Sequence, residues 1–112
     1  MGAHVELSIV AERDLKRLGP GPDRKAVIDA LTVGLTAIPP PGNLDVKALV
    51  GAAPWLRLRV GDYRVLYRPL NRDELKAVSR KRKRRADAGY LVARIVHRRD
   101  LDRAIRVLPP PP

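Results

Sequence analysis

Trp55-Leu56-Arg57-Leu58-Arg59-Val60-Gly61-Asp62-Tyr63-Arg64-Val65-Leu66-Tyr67-Arg68 alternates apolar residues with arginines on either side of a Gly-Asp pair. Alternation of period two marks strands with one buried face, and a two-residue break containing glycine marks a tight turn, so the run reads as a β-hairpin. Successive side chains leave a strand on opposite faces. Leu56, Leu58 and Val60 therefore point away from Arg57 and Arg59, and Tyr63, Val65 and Tyr67 away from Arg64, Leu66 and Arg68. One side of the hairpin is apolar and the other carries up to four guanidiniums. A wet sheet face ordinarily mixes its charges, yet this one holds no acid before the turn residue Asp62.

The apolar side needs a cover, and the chain before the hairpin offers one. Val5, Leu7 and Ile9 alternate in 4–10, which predicts a first strand. Ala11, Leu15 and Leu18 then recur at helical spacing, with Glu12 and Asp14 early and Lys16 and Arg17 late, as a helix dipole favours. Gly19-Pro20-Gly21-Pro22 makes a sharp link to a second helix begun by Pro22 or Asp23. Its stripe is Val27, Ile28, Leu31, Leu35 and Ile38, and Pro39-Pro40-Pro41-Gly42 ends it. These two segments form a helical hairpin suited to the apolar sheet face. Residues 43–54 read as a loop with a short turn around Val46 to Val50.

After the hairpin, Ser79-Arg80-Lys81-Arg82-Lys83-Arg84-Arg85 is a block of like charge. Such blocks repel themselves, so 71–89 is expected to be a mobile insertion, with an RNA-grasping arm as an alternative. Tyr90 to Arg99 is apolar and β-branched enough for a central strand, with Leu91, Ala93 and Ile95 toward the helices and Arg94, Val96 and Arg98 toward the arginine side. Asp100 to Leu108 predicts a short helix on Leu101, Ile105 and Leu108, capped by Asp100. Residues 109–112 form a proline tail with no packing role. The expected architecture is α+β: an N-terminal strand, an α-helical hairpin on one face of a twisted, antiparallel-rich sheet of about four strands, and a short C-terminal helix.

The 112 residues make one ordinary domain, expected to span 1–112, and carry a formal charge of +11. Residues 1–54 hold six basic and six acidic side chains, whereas 55–112 hold seventeen and six, so the whole excess lies in the second half. Such self-repulsion is tolerated when it serves a polyanion, nucleic acid or an acidic protein, the bland alternative being a solubility charge. The absence of cysteine removes disulfides, thiolate metal sites and cysteine nucleophiles. No apolar run is long enough to span a membrane, and the N-terminus lacks a signal-peptide pattern, so a cytoplasmic protein without membrane contact is expected. There is no Gly-rich phosphate loop, no HExxH and no His-Cys cluster, so no metal or cofactor is expected. What remains is recognition or strain of a phosphate backbone by guanidiniums. Their planar fork pairs with two phosphate oxygens at once. RNA supplies its own nucleophile, the 2′-hydroxyl, so aligning it and stabilising the pentacoordinate charge suffices for cleavage.

The element order, together with Leu58-Arg59-Val60-Gly61-Asp62-Tyr63-Arg64-Val65-Leu66-Tyr67 and Val96-His97-Arg98-Arg99-Asp100, resembles the RelE/ParE superfamily of bacterial toxins over nearly the whole chain except 71–89 and the proline tail. The resemblance implies a toxin neutralised by a cognate antitoxin, which would cover the basic face with an acidic or amphipathic segment. RelE-like members cut messenger RNA in the ribosomal A site; ParE-like members poison DNA gyrase. Arg64 matches the arginine that contacts the scissile phosphate, Arg57 a strand lysine that binds phosphate or helps activate the hydroxyl, and Arg98 the arginine that stabilises developing charge. Trp55 stands where a second strand lysine is usual, and no tyrosine follows Tyr90, so the family's tyrosine has no counterpart and His97 is the remaining candidate for proton transfer. Arg59, Arg68, Arg94, Arg99 and Trp55 are the candidate RNA contacts. Three readings stay open: a ribosome-dependent endoribonuclease, a gyrase inhibitor, and a non-catalytic RNA- or DNA-binding module.

Overall fold

The computed structural model describes residues 3–37, 41–83 and 86–110. Its centre is the expected hairpin: β3 (Leu56–Val60) and β4 (Tyr63–Pro69) pair antiparallel from Val60 opposite Tyr63 to Leu56 opposite Tyr67. Gly61 turns the chain with φ +59, a conformation that glycine adopts without steric cost. β2 (Asp45–Ala48) adds to β3, β5 (Gly89–His97) adds antiparallel to β4, and β1 (His4–Leu7) adds parallel to β5. The sheet order is β1-β5-β4-β3-β2. This is the expected α+β arrangement with five strands instead of about four, the extra one being β2, where the sequence reading has a loop with a turn. Every residue of β2 is exposed, so no burial pattern announces it.

The apolar hairpin face is buried as expected. Leu58, Val65 and Tyr67 join Val92 and Ile95 of β5 beneath Ala11 of α1 (Ile9–Arg17) and Val27 of α2 (Pro22–Asp29), with Leu31 and Leu35 from the turn that follows. Fully burying an aliphatic side chain of this size contributes about 1.5–3 kcal/mol, so this layer holds the sheet to its helices. β1 ends at Leu7, short of the predicted strand end, because Ser8 caps α1: its Oγ accepts from the Ala11 N–H at 3.0 Å and donates to the Ala93 carbonyl at 2.9 Å. After Asp29 the second helix widens into a π-turn over Ala30–Gly34, closed by the Leu35 N–H on the Ala30 carbonyl. Ile38 and the two prolines after it lie outside the described residues.

Four further expectations differ from the structure. In β5 the helix-facing residues are Tyr90, Val92 and Ile95, not Leu91, Ala93 and Ile95, because pairing with β4 shifts between Leu66 and Tyr67 and offsets the alternation. Where a mobile insertion is expected in 71–89, Arg72–Arg82 form the helix α3, begun by a capping box in which Asn71 and Glu74 satisfy each other's backbone N–H. Arg84 and Arg85 of the basic run lie outside the described residues. The last helix, α4 (Leu101–Arg106), follows a 3-10 turn over Arg98–Asp100 that is capped by His97, not Asp100: the Arg99 N–H donates to His97 Nδ1 at 3.2 Å. α4 lies on the arginine side of the sheet, where Ala104, Leu101, Ile105 and Leu108 bury Leu66 and Val96 in a second, smaller core. The tail has a contact after all, since the Trp55 indole donates to the Pro109 carbonyl at 3.2 Å; Pro111 and Pro112 lie outside the described residues.

Candidate functional site

The turn end of the arginine face gathers cations from three places. Arg57 and Arg59 leave β3 on the same side, and Arg59 stands directly opposite Arg64 of β4. Arg98 arrives from the end of β5 and is tied to the turn: its N–H donates to the Asp62 carbonyl at 2.7 Å, and its Nε lies 3.7 Å from Asp62 Oδ1. Arg64 folds back on the same turn, Nη1 donating to the carbonyls of Gly61 and Tyr63 at 2.9 Å each. Arg57 Nη2 is 3.5 Å from Asp45 Oδ1 on β2. Four guanidiniums thus face two carboxylates. Partial burial, then repulsion from Arg59, Arg57 and Arg98, holds the Arg64 pKa below the usual arginine value, with Asp45 opposing. Arg64 stays cationic near neutrality. Asp45 and Asp62, which position Arg57 and Arg98, escape sequence reading; the only signal for Asp62 is its place in the turn.

The other candidates are not part of this group. Arg68 is 5% exposed and makes a bidentate pair with Glu74 of α3, at 2.7 and 2.9 Å, while its guanidinium carbon lies 5.7 Å from the Trp55 ring centroid. The pair, chiefly through its hydrogen bonds, raises the Arg68 pKa and lowers that of Glu74. Trp55 is 3% exposed, so its ring offers no open face on which a base could stack. Arg94 turns to α1: Nε and Nη2 donate to the two oxygens of Asp14, which also accepts the Ile95 N–H at 2.9 Å. Asp14 is itself 5% exposed and caps the edge of β5 beyond its pairing with β1. Arg68 and Arg94 each spend two guanidinium nitrogens on both oxygens of one carboxylate, whereas Arg57 and Arg98 stand 3.5 and 3.7 Å from theirs.

His97 sits opposite Tyr63, edge-on at 5.5 Å between ring centroids, on the helix side of the sheet and across it from Arg64. Tyr67 packs edge-on to Tyr90 in the core, where burial, reinforced by Tyr90, pushes its phenol up to about 12. Arg99 is exposed and faces a groove of about 560 Å³ between α1 and α4, together with Arg17, Arg103 and His97. Among the described residues no group of His, Asp and Glu could hold a metal ion, and no helix is long and apolar enough to cross a membrane.

A mixed sheet in the order β1-β5-β4-β3-β2, with two helices on one face and a short terminal helix on the other, is a RelE-like fold. It superposes on a chain of the RelB-RelE antitoxin-toxin complex from Methanococcus jannaschii with a TM-score of 0.53 and 20% identity, covering 88% of this chain and 96% of that one. No family model matches the sequence, and no curated protein matches it.

Proposed function

We propose that this chain acts as a single-domain toxin of a toxin–antitoxin pair and cleaves messenger RNA on the ribosome. The observation that supports this reading is the convergence of Arg57, Arg59, Arg64 and Arg98 at the hairpin turn, beside Asp45 and Asp62. In the step proposed, the 2′-oxygen of a nucleotide attacks the adjacent phosphorus and loses its proton to water. The P–O5′ bond then breaks, and the departing oxygen takes a proton from water. Arg64 holds the scissile phosphate, Arg57 fixes the attacking side, and Arg98 meets the charge that grows on the equatorial oxygens; Arg59 holds a neighbouring phosphate. Guanidiniums supply the charge stabilisation, so the step calls on no metal ion. His97 faces the other side of the sheet, and we assign it the capping of the turn that carries Arg98. The partner is a cognate antitoxin with an acidic or amphipathic segment that covers the four cations in the cytoplasm.

The test is purified protein with ribosomes and message: codon-associated cuts appear with the native chain and are lost with Arg64→Ala. A second reading, inhibition of DNA gyrase through the same arginine face, is favoured by one observation. No tyrosine follows Tyr90 and His97 points away, which leaves the cluster without a side chain to move a proton. Gyrase inhibition by a protein that cuts no RNA decides for it. A purely RNA- or DNA-binding module would give salt-dependent binding with neither activity.

A further inference from the structure

A second row of cations lies on α3, away from the Arg64 group. Arg72, Lys76 and Arg80 follow one another at four-residue intervals, about 6 Å apart along the helix, and line a groove of about 650 Å³ with Leu75, Ser79, Ala86 and Asp87. Lys81, Arg82 and Lys83 extend the charge and are exposed. The helix dipole accounts for cations in the last turn. It does not account for Arg72 at the first helical position, where the dipole disfavours a cation. Nor does it account for Arg72–Lys76 and Lys76–Arg80, two like-charge pairs at a spacing that costs helix stability.

α3 is fastened to the arginine side of the sheet. Arg68 pairs with its Glu74, and its Ala77 and Val78 share a shallow groove with Glu6 and Leu91. Along β4, Arg64 and Pro69 are five residues apart, about 17 Å, roughly half of the 38 Å length of the molecule. The α3 row begins three residues after Pro69, at Arg72. Phosphate contacts require cations and little else. A protein interface requires central apolar anchors and a lipid surface an apolar helix face, and none of the exposed large hydrophobic residues is on α3.

We propose that α3 is a separate docking surface for the phosphate backbone of an RNA helix, adding affinity and orientation without taking part in the chemistry. Naming RNA rests on the ribonuclease reading above. The test measures binding of a short RNA hairpin against salt concentration, for the native chain and for Arg72→Gln/Lys76→Gln/Arg80→Gln. Glutamine keeps helix propensity, and circular dichroism checks that α3 remains. The triple variant is expected to bind at least tenfold more weakly, with a log–log salt slope shallower by about 2 to 3, near one unit per lost phosphate contact. Lys76→Gln alone should give about a third of that change, and the same loss should appear on an Arg64→Ala background. An unchanged slope overturns the proposal, as does tighter binding of a polyglutamate peptide or of anionic vesicles than of the hairpin. Because the readout is binding, a chain that cuts nothing yet shows the slope change retains the α3 surface and loses only the ribonuclease reading.

Discussion

Arg59 and Arg64 face each other directly across β3 and β4, and like charges in that position destabilise a sheet. Replacing Arg59 with glutamine is therefore expected to raise thermal stability, by about 0.5 kcal/mol at low salt. That gain should shrink as salt screens the native repulsion, over about 10 Å at 0.1 M, while RNA affinity falls. Calorimetry and a filter-binding assay on the same samples check both signs. His97 supports the site from the far face, through its cap on the Arg98 turn. His97→Ala is expected to lower the cleavage rate less than about tenfold, below the 10²–10⁴-fold that removing a general acid or base costs, and to leave the shape of the pH–rate profile unchanged. At this scale the sequence shows which arginines share a strand face, because alternation dictates it. It conceals which are already engaged: Arg68 and Arg94 have their acids six and eighty positions away, and a distant carboxylate leaves no mark on a local pattern.

Two acids join elements that the backbone alone would leave loosely docked. Asp14 binds α1 to β5 by accepting from both the Arg94 guanidinium and the Ile95 N–H. Asp14→Ala leaves a half-buried guanidinium and a buried amide unpaired, so a loss of about 3 kcal/mol is expected in denaturant unfolding. Glu74 holds α3 against Arg68 in the same way, and its carboxyl is held below the ordinary 4.5 chiefly by that hydrogen-bonded pair. A depressed acid stabilises fully above its unfolded pKa and loses that contribution as pH falls through the folded value. Glu74→Gln should thus cost about 2 kcal/mol at pH 7, and the gap between native and variant unfolding should close as pH drops below 4.5. α3 was legible in one respect, the Asn71-x-x-Glu74 capping box, but the basic run after it points to disorder when charge is weighed without the cap. β2 had no such signal, since it is an edge strand recruited by pairing with β3 and buries no side chain.

On the scale of the whole molecule, the sheet separates two environments. Helices α1 and α2 close the apolar side with one core, and α4 covers the middle of the other side, leaving the hairpin turn and α3 as cationic ends. The period-two pattern and the helical hairpin were enough to predict the apolar face and its two helices, but not the places of α3 and α4 on the other side. The second core beneath α4 was not foreseen, because Leu66 and Val96 look like isolated apolar residues on a charged face until the last helix folds over them. The distribution of charge fits a protein that holds one polyanion at its turn end and is silenced by an acidic partner there. The central claim is that Arg57, Arg59, Arg64 and Arg98 form one RNA-cleaving site. It is tested most directly by mapping 5′ ends of message on programmed ribosomes incubated with the native chain and with Arg64→Ala. The account predicts discrete cuts that fall about 10²–10³-fold in rate in the variant, as expected for losing one positioned donor to transition-state charge. Cuts of equal strength from both proteins, or none from either, would contradict it.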